Sequence, residues 1–198
     1  MRVPTTGILP AALAAFAAAA ENWKPVPGDL MTRWAARVDP ANPLPEYPRP
    51  QPARTEWTSL NGLWSCAVTA KDAARPEKLD GQILVPFPIE SALSGVKKEL
   101  KPDQRLWYRR TFTAPPQWKD RRVLLHFGAV DWQTTVFLNG RELGGHRGGF
   151  DAFTLDITDA LKKEDSQEIV VSVWDPTDAG WQLRGKQTLL PVLRRNLP

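Results

Sequence analysis

From Trp57 onward the chain alternates between short apolar runs and clusters of Gly, Pro, Asn and Asp. In the first run Leu63, Ser65 and Ala67 alternate with Trp64, Cys66 and Val68, after a turn at Asn61-Gly62. Residues 83–85 (ILV) stop at Pro86, and residues 106–113 (LWYRRTFT) stop at Pro115-Pro116. Residues 123–127 (VLLHF), 134–138 (TTVFL), 153–157 (FTLDI) and 167–174 (QEIVVSVW) complete the series. In the last of these, Ile169, Val171 and Val173 fall on one face and Val170, Ser172 and Trp174 on the other. A period of two in runs this short, rich in β-branched and aromatic residues, predicts strands. Asn139-Gly140 predicts a hairpin with a type I′ turn, since both residues tolerate positive φ. Gly144, Gly145, Gly148 and Gly149 read as a permissive loop. Residues 158–161 (TDAL) predict a helical turn with Thr158 as its cap, and residues 29–38 (DLMTRWAARV) a short helix with Asp29 as N-cap. Strands do not alternate with long helices, so the expected fold is an all-β sandwich or jelly roll.

Composition adds boundaries. With 198 residues there is room for one good domain and flanking segments. Residues 1–20 start with a basic residue, continue through a short apolar stretch and end in four alanines. That order describes a signal peptide and implies a secreted or periplasmic protein; the stretch is too short for a membrane span. Residues 21–56 are dense in proline and form an expected extended arm, pinned by Trp23, Trp34 and Tyr47. The main domain is expected over residues 57–187, followed by an atypical tail, 188–198.

Charge and reactive residues narrow the function. The net charge of +4 is spread along the chain, whereas a nucleic-acid interface needs basic residues clustered on one face. One cysteine, Cys66, excludes an intrachain disulfide and a Cys-rich metal site, and suits a small core residue. His126 sits inside an apolar run as a structural residue, and His146 lies in the glycine-rich loop. There is no G-x-S-x-G stretch and no phosphate loop, and two well-separated histidines give no metal constellation. No cofactor is implied. Asp103, Asp131, Asp151, Asp175 and Asp178 stand near strand ends beside aromatic or glycine residues. Such aspartates serve as turn caps, or as a pair facing a glycoside; spacing leaves both readings open. Trp132 and Trp181, placed in loops, have flat faces suited to stacking on sugar rings.

Several of these runs together resemble a known family. LWYRRTF (106–112), the run 123–161 from VLLHFGAVDW to DITDAL, and VVSVWDPTD (170–178) resemble the N-terminal sugar-binding domain of glycoside hydrolase family 2. WTSLNGLW and ILVPFPIESALSGV upstream, and the arm WKPVPGDLMTRWA, fit the same pattern, so the resemblance covers roughly residues 23–187.

The resemblance implies a galactose-binding-like jelly-roll β-sandwich, and a role in cleaving terminal β-glycosides within a larger enzyme. The family's catalytic glutamates belong to a barrel domain outside this sequence, so no catalytic residue carries over and the chain alone is expected to be inactive. The loop before LWY and the loop after VVSVW are expected at the rim of that barrel's pocket. There Asp103, Asp175 and Asp178 would accept sugar hydroxyls and Trp181 would stack on a ring. The tail TLLPVLRRNLP departs from the family's final strand, so a sandwich lacking its last strand is expected. The expected partners are a carbohydrate and the barrel domain, with no nucleic acid and no membrane. A free-standing carbohydrate-binding module and a non-catalytic, partner-docking sandwich are the two rival readings.

Overall fold

The computed structural model describes residues 23–28, 31–46, 53–163 and 166–176. The chain divides into two compact units: Met1–Cys66 with Leu79–Glu99, and Ala67–Lys78 with Leu100–Pro198. The expected signal segment and the atypical tail lie outside the described residues.

Strand β1 (Gly62–Ala70), whose residues up to Cys66 belong to the first unit, starts at a positive-φ glycine, Gly62, and pairs antiparallel with β2 (Gly81–Val85). The register sets Leu63 opposite Leu84 and Trp64 opposite Ile83, and all four are buried. β1 is a strand as expected, but both of its faces are covered at its start, and the Trp64 indole donates to the Leu60 carbonyl at 2.8 Å. Cys66 is a buried core residue as expected; burial pushes its thiol up to about 11. Beyond β2, the fully buried Ser94 organises a one-turn 3-10 helix, Ala92–Ser94. Its hydroxyl donates to the Ser91 carbonyl at 2.8 Å and accepts from the Val96 amide at 3.0 Å.

The arm is held to this unit by backbone and side chain. The Val26 amide donates to the Ala92 carbonyl at 3.0 Å, and Lys97 Nζ donates to the Pro27 carbonyl at 2.8 Å. Trp23 lies so close to Gly95 that a methyl group there would meet its indole nitrogen at 2.7 Å. Trp34, by contrast, is an exposed ring beneath the Arg33 guanidinium, and Tyr47 lies outside the described residues. The helix expected over 29–38 shortens to a single 3-10 turn, Ala35–Arg37. No side chain caps its start, and the backbone is already extended at Val38, two residues before Pro40. Asp29 lies outside the described residues.

The second unit is the sandwich. Its strands are β3 (Gln104–Thr113), β4 (Leu124–Phe127), β5 (Gln133–Leu138), β6 (Arg141–Arg147), β7 (Phe153–Asp156) and β8 (Ser166–Trp174). One sheet runs β3-β8-β5-β6, with the end of β1 beside β3, and the other is β4-β7. β8 is central and buried on both faces from Ile169 to Val173, a run that is apolar except for Ser172. Thr134, Val136 and Leu138 of β5 register with Val173, Val171 and Ile169 of β8 to make the inner face. A stack of rings joins the two sheets: His146 on Phe153 at 4.6 Å and Phe153 on Phe127 at 4.7 Å.

Three local expectations change. The glycine-rich stretch is not a loop from Gly144: β6 runs through Gly144 and Gly145. Gly145 is required there, because a Cβ would strike the Thr134 carbonyl oxygen of the neighbouring strand. The register slips between Val136 and Phe137, and Gly144 absorbs that bulge at φ +132°. His146 is consequently a strand residue facing the second sheet. His126, expected as a structural residue within an apolar run, lies on the exposed face of β4 with Nδ1 2.8 Å from Thr154 Oγ1. The turn Thr158–Ala160 is not capped by Thr158; Asp156 Oδ1 accepts from the Thr158 amide at 3.0 Å and hydroxyl at 2.6 Å. The Asn139-Gly140 turn is as expected, with φ +52° and +86°.

Candidate functional site

Antiparallel register decides which loops meet. Leu106 pairs with Val173, Gln133 with Trp174, and Gln133 with Arg147. The start of β3, the end of β8, the start of β5 and the end of β6 therefore share one end of the sheet. The end of β1 joins them, since the Lys71 amide donates to the Asp103 carbonyl at 2.8 Å. Asp103, Asp131, Asp151 and Asp175, scattered over the sequence, all flank this end.

Trp174 locks two of these loops together. Its indole Nε1 donates to the Pro102 carbonyl at 2.8 Å, and Lys71 Nζ sits 3.7 Å above its ring. Arg105 braces the same corner, with Nε donating to the Lys71 carbonyl and Nη1 to Ser172 Oγ, each at 2.8 Å. An indole with its N–H satisfied and a cation on its face is a rigid anchor. The backbone segments that carry Asp103, next to Pro102, and Asp175, next to Trp174, are thus tied to one ring. Asp103 is exposed and Asp175 half-buried. Ala70, Lys71, Asp72, Ala73, Pro102 and Asp103 line a shallow open depression beside them.

The other half of this end is built on Asp131. Asp131 is an exposed residue, but partial desolvation of its carboxyl group raises its pKa from the ordinary value, and the negative charge of Asp175 raises it further. The Asp131 carboxyl group rests on Gly149, where an added Cβ would lie 2.5–2.8 Å from it. The Gly148 amide donates to the Trp132 carbonyl at 3.0 Å, which fixes the loop after β6 against the loop before β5. Phe150, at the tip, is 75% exposed. Trp132 itself is half-buried. Just inside, two buried polar atoms on register-paired strands, Thr134 Oγ1 and His146 Nδ1, have no hydrogen-bond partner.

Of the residues named from sequence, Asp103 and Asp175 are brought to one end, while Asp178 and Trp181 lie outside the described residues. Asp131 and Asp151 join the same end, although the sequence reading did not place them at the rim. Phe150 escaped it altogether; its signal was an aromatic residue between two glycines and an aspartate. The arrangement offers carboxylates on anchored loops, one exposed ring and one carboxyl group, Asp131, that holds a proton more readily than usual. Among the described residues no group of three His, Cys, Asp or Glu side chains is placed to hold a metal ion. No helix among them is long and apolar enough to cross a membrane.

A family model described as "Glycosyl hydrolase 2 galactose-binding domain-like" matches residues 95–195. A β-glucuronidase of Paenibacillus borealis is 29% identical over 109 residues, which are 52% of this chain and 18% of that protein. A β-galactosidase of Thermoanaerobacter pseudethanolicus is 33% identical over 64 residues, 32% of this chain and 9% of that protein. Among solved structures, the Faecalibacterium prausnitzii β-glucuronidase aligns at a TM-score of 0.51 and 27% identity, over 62% of this chain and 22% of that one. The chain thus spans less than a quarter of the length of each of these relatives. It belongs to the glycosyl hydrolase 2 galactose-binding domain-like family, and its fold is the jelly-roll β-sandwich of that family.

Proposed function

We propose that this chain acts as the sugar-facing β-sandwich of a β-glycoside-cleaving enzyme, supplying substrate contacts rather than the reacting groups. The observation that carries this reading is the fixed corner around Trp174, which holds the Asp103 and Asp175 loops at one end of the sheet. Carboxylates on loops already tied in place accept sugar hydroxyls with less loop ordering on binding. The proposal extends to Asp178 and Trp181 on the family resemblance alone, and residues 1–20 are proposed as an export signal. The partner that completes the enzyme would be a barrel domain bearing the reacting carboxylates.

Calorimetric titration of the full chain with methyl β-galactoside and methyl β-glucuronide tests the reading. Weak saturable binding is expected, with Asp175→Asn lowering affinity about tenfold, the worth of one charge-assisted hydrogen bond. Heat-silent titrations with both glycosides would instead favour a non-catalytic sandwich that docks a protein partner.

A further inference from the structure

Three of the four exposed large apolar side chains among the described residues, Met31, Trp34 and Leu44, fall within one short stretch of the first unit. Trp34 is the one presented by a built turn. Ala35 next to it is buried, and three amides close the turn: Ala35 donates to the Thr32 carbonyl at 3.0 Å, Arg37 to Trp34 at 2.8 Å and Val38 to Ala35 at 3.3 Å. Further on, Pro43 is buried and its carbonyl accepts from Asn61 Nδ2 at 3.3 Å, which ties the segment to the approach to β1. The backbone is therefore held, yet it turns the indole outward.

Two cations attend this ring. The Arg33 guanidinium lies 4.4 Å from the ring centre, and the residue is still 56% exposed with it there. Side chains three apart eclipse in a 3-10 turn, which puts Arg37 on the same side as Trp34. Both arginines are exposed, and among the described residues neither guanidinium has an ion-pair partner. No acidic residue lies between Met31 and Val38, and Asp39 beyond them accepts the Ala41 amide on Oδ1 at 2.9 Å. We infer that Trp34, with Arg33 and Arg37, is a surface contact for an acidic saccharide, the indole taking the C–H face of a pyranose and the guanidinium groups its carboxylate. The contact uses none of the residues of the corner around Trp174; only the choice of a saccharide rests on the carbohydrate reading above.

The occupant follows from chemistry. An apolar partner would strip water from two guanidinium groups and give them no acceptor. A neutral sugar would cover the ring but leave both charges uncompensated. A uronate supplies an apolar face together with a carboxylate, whose two oxygens match the planar fork of an arginine. An acidic peptide has the carboxylates without a rigid C–H face for the indole.

A matched pair of oligomers tests this: β-linked tetramannuronate and β-linked mannotetraose, which differ only in oxidation at C6. In titrations of the full chain, tetramannuronate is expected to bind at least about fivefold more tightly at low salt. The preference should shrink in about 1 M salt, which screens exposed charges beyond about 3 Å. Trp34→Ala should weaken tetramannuronate binding about tenfold with an unchanged melting temperature, since the ring is exposed. Arg37→Ala should narrow the gap between the oligomers, and Arg33→Lys should keep part of it, because the charge stays while the planar stack is lost. Equal binding of the two oligomers, or unchanged binding in Trp34→Ala, overturns the inference. So does an oligoglutamate of equal charge that binds as tightly as tetramannuronate, which would point to an acidic protein partner instead. If a methyl glycoside binds in an Asp175-dependent way and tetramannuronate does not bind, this contact falls and the carbohydrate reading stands. If tetramannuronate binds through Trp34 while both methyl glycosides are silent, the contact stands and the corner around Trp174 loses its role.

Discussion

Asp156 and Asp131 are carboxylates perturbed in opposite directions by local surroundings. Asp156 is pulled down to about 2, chiefly by the Thr158 hydroxyl and then by Arg122, whose Nε donates to Oδ2 at 2.7 Å. A depressed carboxylate adds stability that is present above its unfolded pKa, about 3.9, and is lost as pH falls toward the folded value. Asp131 is raised, so its effect has the other sign: the folded state is favoured below the unfolded pKa and loses that advantage as pH rises through the folded one. Asp156→Asn should therefore flatten the acid limb of a melting-temperature profile between about pH 4 and pH 2. Asp131→Asn should raise the melting temperature on the neutral side, where the native residue is charged, and leave the acid limb in place. Parallel profiles for the two variants would contradict both assignments. Neither role was legible at this scale. The sequence reading gave Thr158 the cap because it starts the turn, whereas the structure uses it as the donor that Asp156 holds. The charge that raises Asp131 comes from a residue 44 positions away in sequence.

At the scale of elements, the hairpin was legible and what anchors it was not. Asn139-Gly140 announces the turn through its φ angles, and β5 and β6 follow in register from there. Sequence periodicity does not show that Asn139 also reaches across to β8. Its Nδ2 donates to the Ala160 carbonyl at 2.9 Å and to Gln167 Oε1 at 2.7 Å, while its Oδ1 accepts from the Glu168 amide at 2.9 Å. Gln167 is fully buried, so its amide is satisfied only inside the protein. Asn139→Ala should destabilise by about 3 kcal/mol, combining lost buried hydrogen bonds with a non-glycine residue at positive φ. Asn139→Gly removes the same bonds but not the backbone freedom, and should cost about 1 kcal/mol less. Urea melts of the two variants measure the difference; equal losses would mean that the backbone conformation contributes nothing. The glycine pair in β6 was misread for a related reason. Glycine reads as loop in isolation, and only the neighbouring Thr134 carbonyl explains why a strand needs it at position 145.

For the whole molecule, period-two alternation and the spacing of turns were enough to establish an all-β sandwich, because a strand that turns every second side chain inward, as β5 does with Thr134, Val136 and Leu138, carries the pattern in its own sequence. The assembly of the candidate site was not legible from sequence, because it depends on three long-range registers, β3 with β8, β8 with β5 and β5 with β6. Those registers carry Asp103, Asp131 and Asp175 to one end, and they bring Asp175 close enough to raise the Asp131 pKa. Two interacting carboxylates with one pKa raised have the electrostatic form of a glycosidase acid and its partner. The resemblance between that pair and a catalytic one is what makes the isolated chain worth assaying. Retaining hydrolysis needs the two groups on either side of a bound glycosidic bond, with the acid aimed at the leaving oxygen. Here Asp131 faces the backbone at Gly149 rather than an enclosed cleft, and the adjoining depression at Asp103 is open. Binding without turnover is the expected behaviour. Incubation of the full chain with chromogenic aryl β-galactoside and β-glucuronide should release aglycone no faster than buffer does, while the titrations described above still saturate. Turnover that vanished in both Asp131→Asn and Asp175→Asn would move catalysis into this sandwich and overturn the division of labour between substrate contact and bond cleavage.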